Sequence, residues 1–148
     1  MFTDEEIQTF AKTLGDMSGK VIIDATNPLG PFEEGLNVRW GMTTSGGEIL
    51  AAALPTAKVY RAFNTVGVEH MKNALGKDMM IAGDPEEASR KIVEDVVAGV
   101  GFKPFYVGPI RYARNLEAIA ELWIHMAVPP LAARTTTRNF WFAILGDP

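Results

Sequence analysis

The 148-residue chain contains no cysteine, which excludes disulfides, thiolate metal sites and a cysteine nucleophile. No uninterrupted apolar run reaches the roughly 18 residues that a membrane-spanning helix needs, so no segment reads as a membrane span. The first ten residues, MFTDEEIQTF, are acidic and carry no apolar core of a secretion signal, so a cytoplasmic protein is expected. Lys and Arg number 14 against 18 Asp and Glu, giving a formal net charge of −4. The basic residues are scattered, with Arg134 and Arg138 the nearest approach to a cluster. Nucleic-acid binding needs a concentrated basic face, so no nucleic-acid partner is expected. The two histidines, His70 and His125, stand far apart, and no His or acid spacing suits a metal, so none is expected. The chain also lacks a G-x-G-x-x-G turn, which offers backbone N–H groups and a helix N-terminus to a pyrophosphate. Gly99-Val100-Gly101 follows a helical segment and reads as a helix stop.

Hydrophobic residues make up 47% of the chain and charged ones 22%, close to a globular average, and the length suits a single domain spanning 1–148. Strand and helix patterns alternate. Thr3 and Glu6 form a capping box before a helix over 3–14 whose apolar face is Ile7, Phe10, Ala11 and Leu14. Lys20–Thr26 reads as a strand, and its VII run suits a strand buried on both faces of a parallel sheet. Asn27, Pro28, Gly30 and Pro31 make a rigid loop, and 32–44 looks irregular around Gly35 and Gly41. Ser45-Gly46-Gly47-Glu48 is a second capping box, opening a helix that Pro55 ends. Further strands are expected at Lys58–Phe63, Asp78–Ala82 and Lys103–Val107, with a short helix over Val66–Leu75.

Asp84 is expected to cap a longer helix with Pro85 at its first position. The core face of that helix reads as Ala88, Ile92, Val96 and Val97 or Val100, with Gly99 and Gly101 ending it. A last helix over 111–128 places Leu116, Ile119, Ala120, Trp123 and Ala127 on one side. Pro129-Pro130 breaks it, and a short helix or coil follows around Phe140–Leu145. This alternation predicts an α/β fold with a doubly wound, Rossmann-like parallel sheet of about four strands.

Five blocks carry a specific resemblance: IDATNP at 23–28, SGGE at 45–48, RAFNT at 61–65, IAGD at 81–84 and ARNLEAIAELWIHMA at 113–127. On these the chain resembles the NADP oxidoreductases that depend on the deazaflavin coenzyme F-420, and more distantly the STEAP reductase domains. The resemblance runs from Gly19 to Ala127 and covers the C-terminal portion of that family's domain. The N-terminal half with the glycine turn has no counterpart, so a truncated domain is expected. The resemblance implies hydride transfer between NADP(H) and a deazaflavin or flavin, chemistry that the cofactors carry and the protein orients. It places Asn27 and Pro28 near the nicotinamide, and Phe63, Asn64 and Thr65 around the second ring. No catalytic residue is singled out. Read as residues alone, Asn27 and Asn64 could simply close turns at strand ends.

Other polar residues read as structural. Gly46-Gly47 could meet an anion, but the capping box explains it. Glu117 and Glu121 read as a solvated face, His70 as lying on a short exposed helix, and Trp123, Phe140 and Trp141 as packing. The strand at 20–26 would be the fifth of a 3-2-1-4-5-6 sheet, by the same resemblance. Its neighbour would then lie before residue 1, leaving an apolar edge for the N-terminal segment, a second copy or a partner chain to cover. Two functional classes remain open: an NADP(H)-dependent oxidoreductase-like domain that does not bind the dinucleotide on its own, and a non-catalytic binding or scaffolding subunit.

Overall fold

The computed structural model describes residues 3–30, 36–128 and 138–146. Pro31, Gly35, Pro129, Pro130 and Arg134 lie outside the described residues.

The first helix, α1 (Asp4–Thr13), is closed at its start by the expected capping box, with Thr3 Oγ1 accepting from Glu6 N–H at 3.1 Å. Strand β1 (Val21–Asp24) is shorter than expected because the Asp24 carboxylate accepts the Thr26 N–H at 2.9 Å and turns the chain. Helix α2 (Gly46–Ala53) leads to β2 (Lys58–Arg61). A single helical turn, α3 (Val68–Met71), precedes β3 (Asp78–Gly83), and α4 (Glu87–Val100) precedes β4 (Lys103–Gly108). A 3-10 turn over Ile110–Tyr112 enters α5 (Ala113–Ala127), and 138–146 is coil.

The four strands lie in the order β1-β2-β3-β4, giving the expected α/β, Rossmann-like class. The strand directions differ from the all-parallel expectation. β1/β2 and β3/β4 are parallel, whereas β2 and β3 pair antiparallel through Tyr60↔Gly83 and Arg61↔Ala82. A parallel connection needs an element that carries the chain back along the sheet. The helices α2, of 8 residues, and α4, of 14, do that for the two parallel pairs. The four residues of α3 rise only about 6 Å, so the chain comes back down beside β2 instead. Gly83 permits the close crossing: a Cβ there would lie 2.8 Å from Tyr60 Cα.

The core divides across the sheet because successive strand side chains point to opposite faces. Tyr60, Met79, Ile81, Val93, Val97 and Phe102 fill one side, where Val21 and Ile23 pack. Ile7, Ala11, Leu50, Leu54 and Val59 fill the other, where Ile22 packs. The VII run is therefore half-buried on both faces, while β1 itself stands at the edge of the described sheet. Two helix faces are rotated from expectation. In α4 the buried residues are Ser89, Val93 and Val97, leaving Ile92, Val96 and Val100 exposed. In α1, Phe10 is 51% exposed. Glu86 rather than Asp84 precedes α4, and the Asp84 carboxylate takes the Glu86 N–H at 2.9 Å. Gly101, at φ +106°, ends α4 in the left-handed conformation that favours glycine.

Candidate functional site at the ends of β1 and β2

Because β1 and β2 run parallel with Asp24 opposite Arg61, the segments that follow them leave the same edge of the sheet side by side. The Ala62 N–H donates to Asp24 O at 3.2 Å and keeps the two exits together. Asn27 is half-buried and Pro28 buried. The Asn27 Oδ1 is sealed from solvent with no hydrogen-bond partner. Beyond β2, Asn64 is buried, its Nδ2 donates to Leu116 O at 3.2 Å, and its Oδ1 also has no partner. Thr65 is buried beside it.

Phe63 has φ +63°, a left-handed backbone that is costly for a bulky residue, by about 1–3 kcal/mol. No other non-glycine residue among those described shares that sign. Its ring meets Phe102 edge-on at 6.2 Å, so it is braced on the core. The fold thus gathers Asn27, Pro28, Phe63, Asn64 and Thr65 at one end of the sheet.

Sequence reading missed what lies beneath them. Arg61 is fully buried, and its Nη1 sits 3.0 Å from Asp24 Oδ2 and 3.0 Å from Thr26 Oγ1 while also donating to Thr26 O. Its Nη2 donates to Glu117 Oε1 on α5, and that carboxylate is fully buried, not solvated as expected. Glu117 Oε1 further accepts the Gly47 N–H at 3.4 Å. One guanidinium therefore faces two sealed carboxylates. Burial pushes the Glu117 carboxyl up to about 7, against the pull of Arg61 and the Gly47 N–H and with a push from the Asp24 charge.

Gly46 and Gly47 belong to this contact. A Cβ at Gly46 would lie 3.1 Å from Arg61 Nη2 and from Pro28 Cγ, and one at Gly47 would lie 3.0 Å from Ala113 Cβ. The start of α2 thus turns the Gly47 N–H on an internal carboxylate. Ser45 Oγ accepts the Glu48 N–H at 3.1 Å, and Glu48 is held by Arg114 in a two-pronged pair at 2.7 and 2.7 Å. Two signals could have exposed this cluster. Arg61 interrupts the apolar end of a strand, and Glu117 sits on the same face as Ala113 and Ala120; a charge in an apolar stripe needs a buried partner.

His70 is buried rather than exposed, with its Nε2 3.0 Å from Phe140 O and its ring edge-on to Trp141 at 5.6 Å. Trp123 stacks on Phe140 at 5.4 Å and donates to its carbonyl at 2.9 Å, so that aromatic group is packing within the fold. Arg138 pairs with Glu69 at 2.8 Å on the surface. Among the described residues no group of three or more His, Asp or Glu is placed to hold a metal, and no helix is long and apolar enough to cross a membrane. An apolar cavity of about 110 Å³ lies between α1, α2 and the end of β1, with Asp24, Thr26 and Gly46 in its wall.

These features define an α/β, Rossmann-like domain with a polar cluster at the carboxyl ends of two neighbouring strands. No family model matches the chain. Among curated proteins it is similar to metalloreductase STEAP3 of Rattus norvegicus, with 29% identity over 133 residues that cover 87% of this chain and 26% of the relative. Among solved structures it is similar to a candidate F-420-dependent NADP reductase from Arthrobacter sp. FB24, with TM-score 0.69 and 25% identity, covering 78% of this chain and 55% of that one. The hypothetical protein SMa0349 from Sinorhizobium meliloti shares the fold, with TM-score 0.60, 21% identity and coverage of 72% and 53%. The chain spans about half the length of the solved structures and about a quarter of the curated relative. The first two similarities support a likeness to reductases, one of them NADP-dependent, and the third supports the fold alone.

Proposed function

We propose that the chain forms the nicotinamide-side wall of an NADP(H)-dependent oxidoreductase site. Asn27 and Pro28 would face the nicotinamide, and Phe63, Asn64 and Thr65 the second ring, a deazaflavin of F-420 type or a flavin. The observation that carries this reading is the pair of sealed, unpartnered amide oxygens, Asn27 Oδ1 and Asn64 Oδ1, at adjacent strand ends. Buried acceptors without donors fit a ligand that brings N–H groups, and a carboxamide or a deazaflavin ring does so. The strained backbone of Phe63, next to Asn64 in the chain, agrees, since strain collects at functional positions. The bound cofactors would supply the hydride chemistry; this chain's residues would hold and orient the rings.

The pyrophosphate has no such match. The sequence has no G-x-G-x-x-G turn, and the Gly47 N–H at the start of α2 already faces Glu117. The chain by itself is therefore proposed not to grip the dinucleotide. Adding reduced nicotinamide mononucleotide at millimolar concentration should shift the amide NMR signals of Asn27, Phe63, Asn64 and Thr65, with NADPH binding no tighter. Shifts mapping elsewhere, or none, would overturn the ring assignment; micromolar NADPH affinity would overturn the proposed lack of grip.

A second reading, a non-catalytic binding or scaffolding subunit, is favoured by the edge position of β1. Phe10, Leu14, Met17, Ile22 and Ile23 line a groove of about 380 Å³ along it. On that reading a second copy or a partner chain covers residues 20–26. Light scattering of the purified chain distinguishes them: a stable homo-oligomer supports the first occupant, and a monomer at high concentration removes it.

A further inference from the structure

Five buried side-chain nitrogen or oxygen atoms among the described residues lack a hydrogen-bond partner, and four of them belong to this one cluster: Asn27 Oδ1, Arg61 Nε, Asn64 Oδ1 and Glu117 Oε2. Such atoms are uncommon in folded proteins, so four in one place need an explanation. The charges are unbalanced as well. With both carboxylates ionised, Arg61, Asp24 and Glu117 carry a net negative charge on side chains that are 0–4% exposed. An unpaired buried charge is expensive, and the usual remedy is to take up a proton.

We propose that Glu117 is a proton-gated positioning residue. Protonated, it leaves Arg61 and Asp24 as a neutral buried pair and fixes the turn through Thr26, the start of α2 and the Asn64 amide in one arrangement. Ionised, it adds a buried negative charge that loosens all three. The connections are direct. Arg61 holds Thr26 through both its carbonyl and its hydroxyl, one residue before Asn27. Glu117 holds the Gly47 N–H of α2. Leu116, the residue before Glu117, accepts from Asn64. The proton sits on Glu117 Oε2, the carboxyl oxygen that Arg61 and Gly47 leave free, and it goes to solvent when the acid ionises.

The groups facing Glu117 are few. From β1 there is Asp24, from β2 Arg61, and from α2 the Gly47 N–H. Glu48 of α2 is engaged by Arg114 of α5, one turn before Glu117. From the 3-10 turn, Arg111 lies over the Tyr112 ring. Asp78, at the far end of β3, accepts the Ile144 N–H, and Glu121 is the next acid along α5.

Asn27 and Asn64 matter here as amides of the nicotinamide wall, and that much rests on the function proposed above. The decisive titration contains no cofactor, so it stands or falls separately. Carboxyl-carbon and amide NMR of the wild-type chain from pH 5 to 9 should show Glu117 titrating near neutrality. The signals of the Gly47 and Thr26 N–H groups and of Asn64 Nδ2 should move with the same midpoint. Above it, Gly47 hydrogen exchange, corrected for its intrinsic pH dependence, should run about tenfold faster. Glu117→Gln, which mimics the neutral acid, should keep these signals in their low-pH positions throughout. Titration of Glu117 in the ordinary carboxylate range overturns the proposal. So do the other three signals staying still while it titrates, or an unchanged transition in Glu117→Gln. Should the variant not fold, the wild-type titration decides alone.

Discussion

Two sets of ion pairs in this protein have similar chemistry and opposite surroundings. Lys91 and Asp95 lie one turn apart on α4, with side chains 66% and 63% exposed. Arg61, Asp24 and Glu117 come from three different elements, and their side chains are 0–4% exposed. In water the first pair exchanges hydration for a weak attraction that salt screens, worth at most about 1 kcal/mol. In the second set little water is left to share the charge, so each partner depends on the others. The difference teaches that this protein's electrostatics are concentrated where β1 and β2 end, and that its numerous surface charges are energetically minor.

The sharpest way to break this contrast is Arg61→Met. It strands Asp24 and Glu117, and unfolding in urea should show a loss of about 3–5 kcal/mol. A loss below about 1 kcal/mol would put the buried cluster on the same footing as the surface pair. Next comes pH. The Glu117 carboxyl is raised from 4.5 to about 7 in the folded state. The stability it contributes is therefore fully present below about pH 4.5 and is lost as pH rises through about 7. Glu117→Gln lacks that loss, so urea midpoints should favour the variant increasingly over this window, by a few kcal/mol at most, and the gap should be constant above it. Gly47→Ala should cost about 1–3 kcal/mol by wedging α2 from α5, since its Cβ would sit 3.0 Å from that of Ala113. Lys91→Ala should change stability by under about 0.5 kcal/mol, and high salt should erase even that.

Legibility in the sequence followed the range of the physics. The cap of α1 by Thr3 and Glu6 and the stop at Gly101 depend on neighbours within four residues, and both formed as read. The faces of α4 and α1 were harder. Ile92, Val96 and Val100 share one stripe as plausibly as Ser89, Val93 and Val97, and only docking against the sheet chose between them. The five candidate residues lie just beyond the ends of β1 and β2, where a parallel pair brings them to the same end of the sheet. Arg61 and Glu117 were not found, because a partner 56 residues away leaves no local pattern.

By itself, then, the sequence determined the alternation of strands and helices, the caps and turns, and the absence of thiol chemistry and of a glycine-rich phosphate turn. Periodicity and capping are properties of short windows, and a short window is all they need. Tertiary structure decided the antiparallel step between β2 and β3, the rotation of α4 and the sealing of one guanidinium between two carboxylates. Those outcomes depend on which surfaces exclude water together. Burial converts Glu117 from an ordinary surface acid into a group that titrates near neutrality, and burial exists only once the chain has folded.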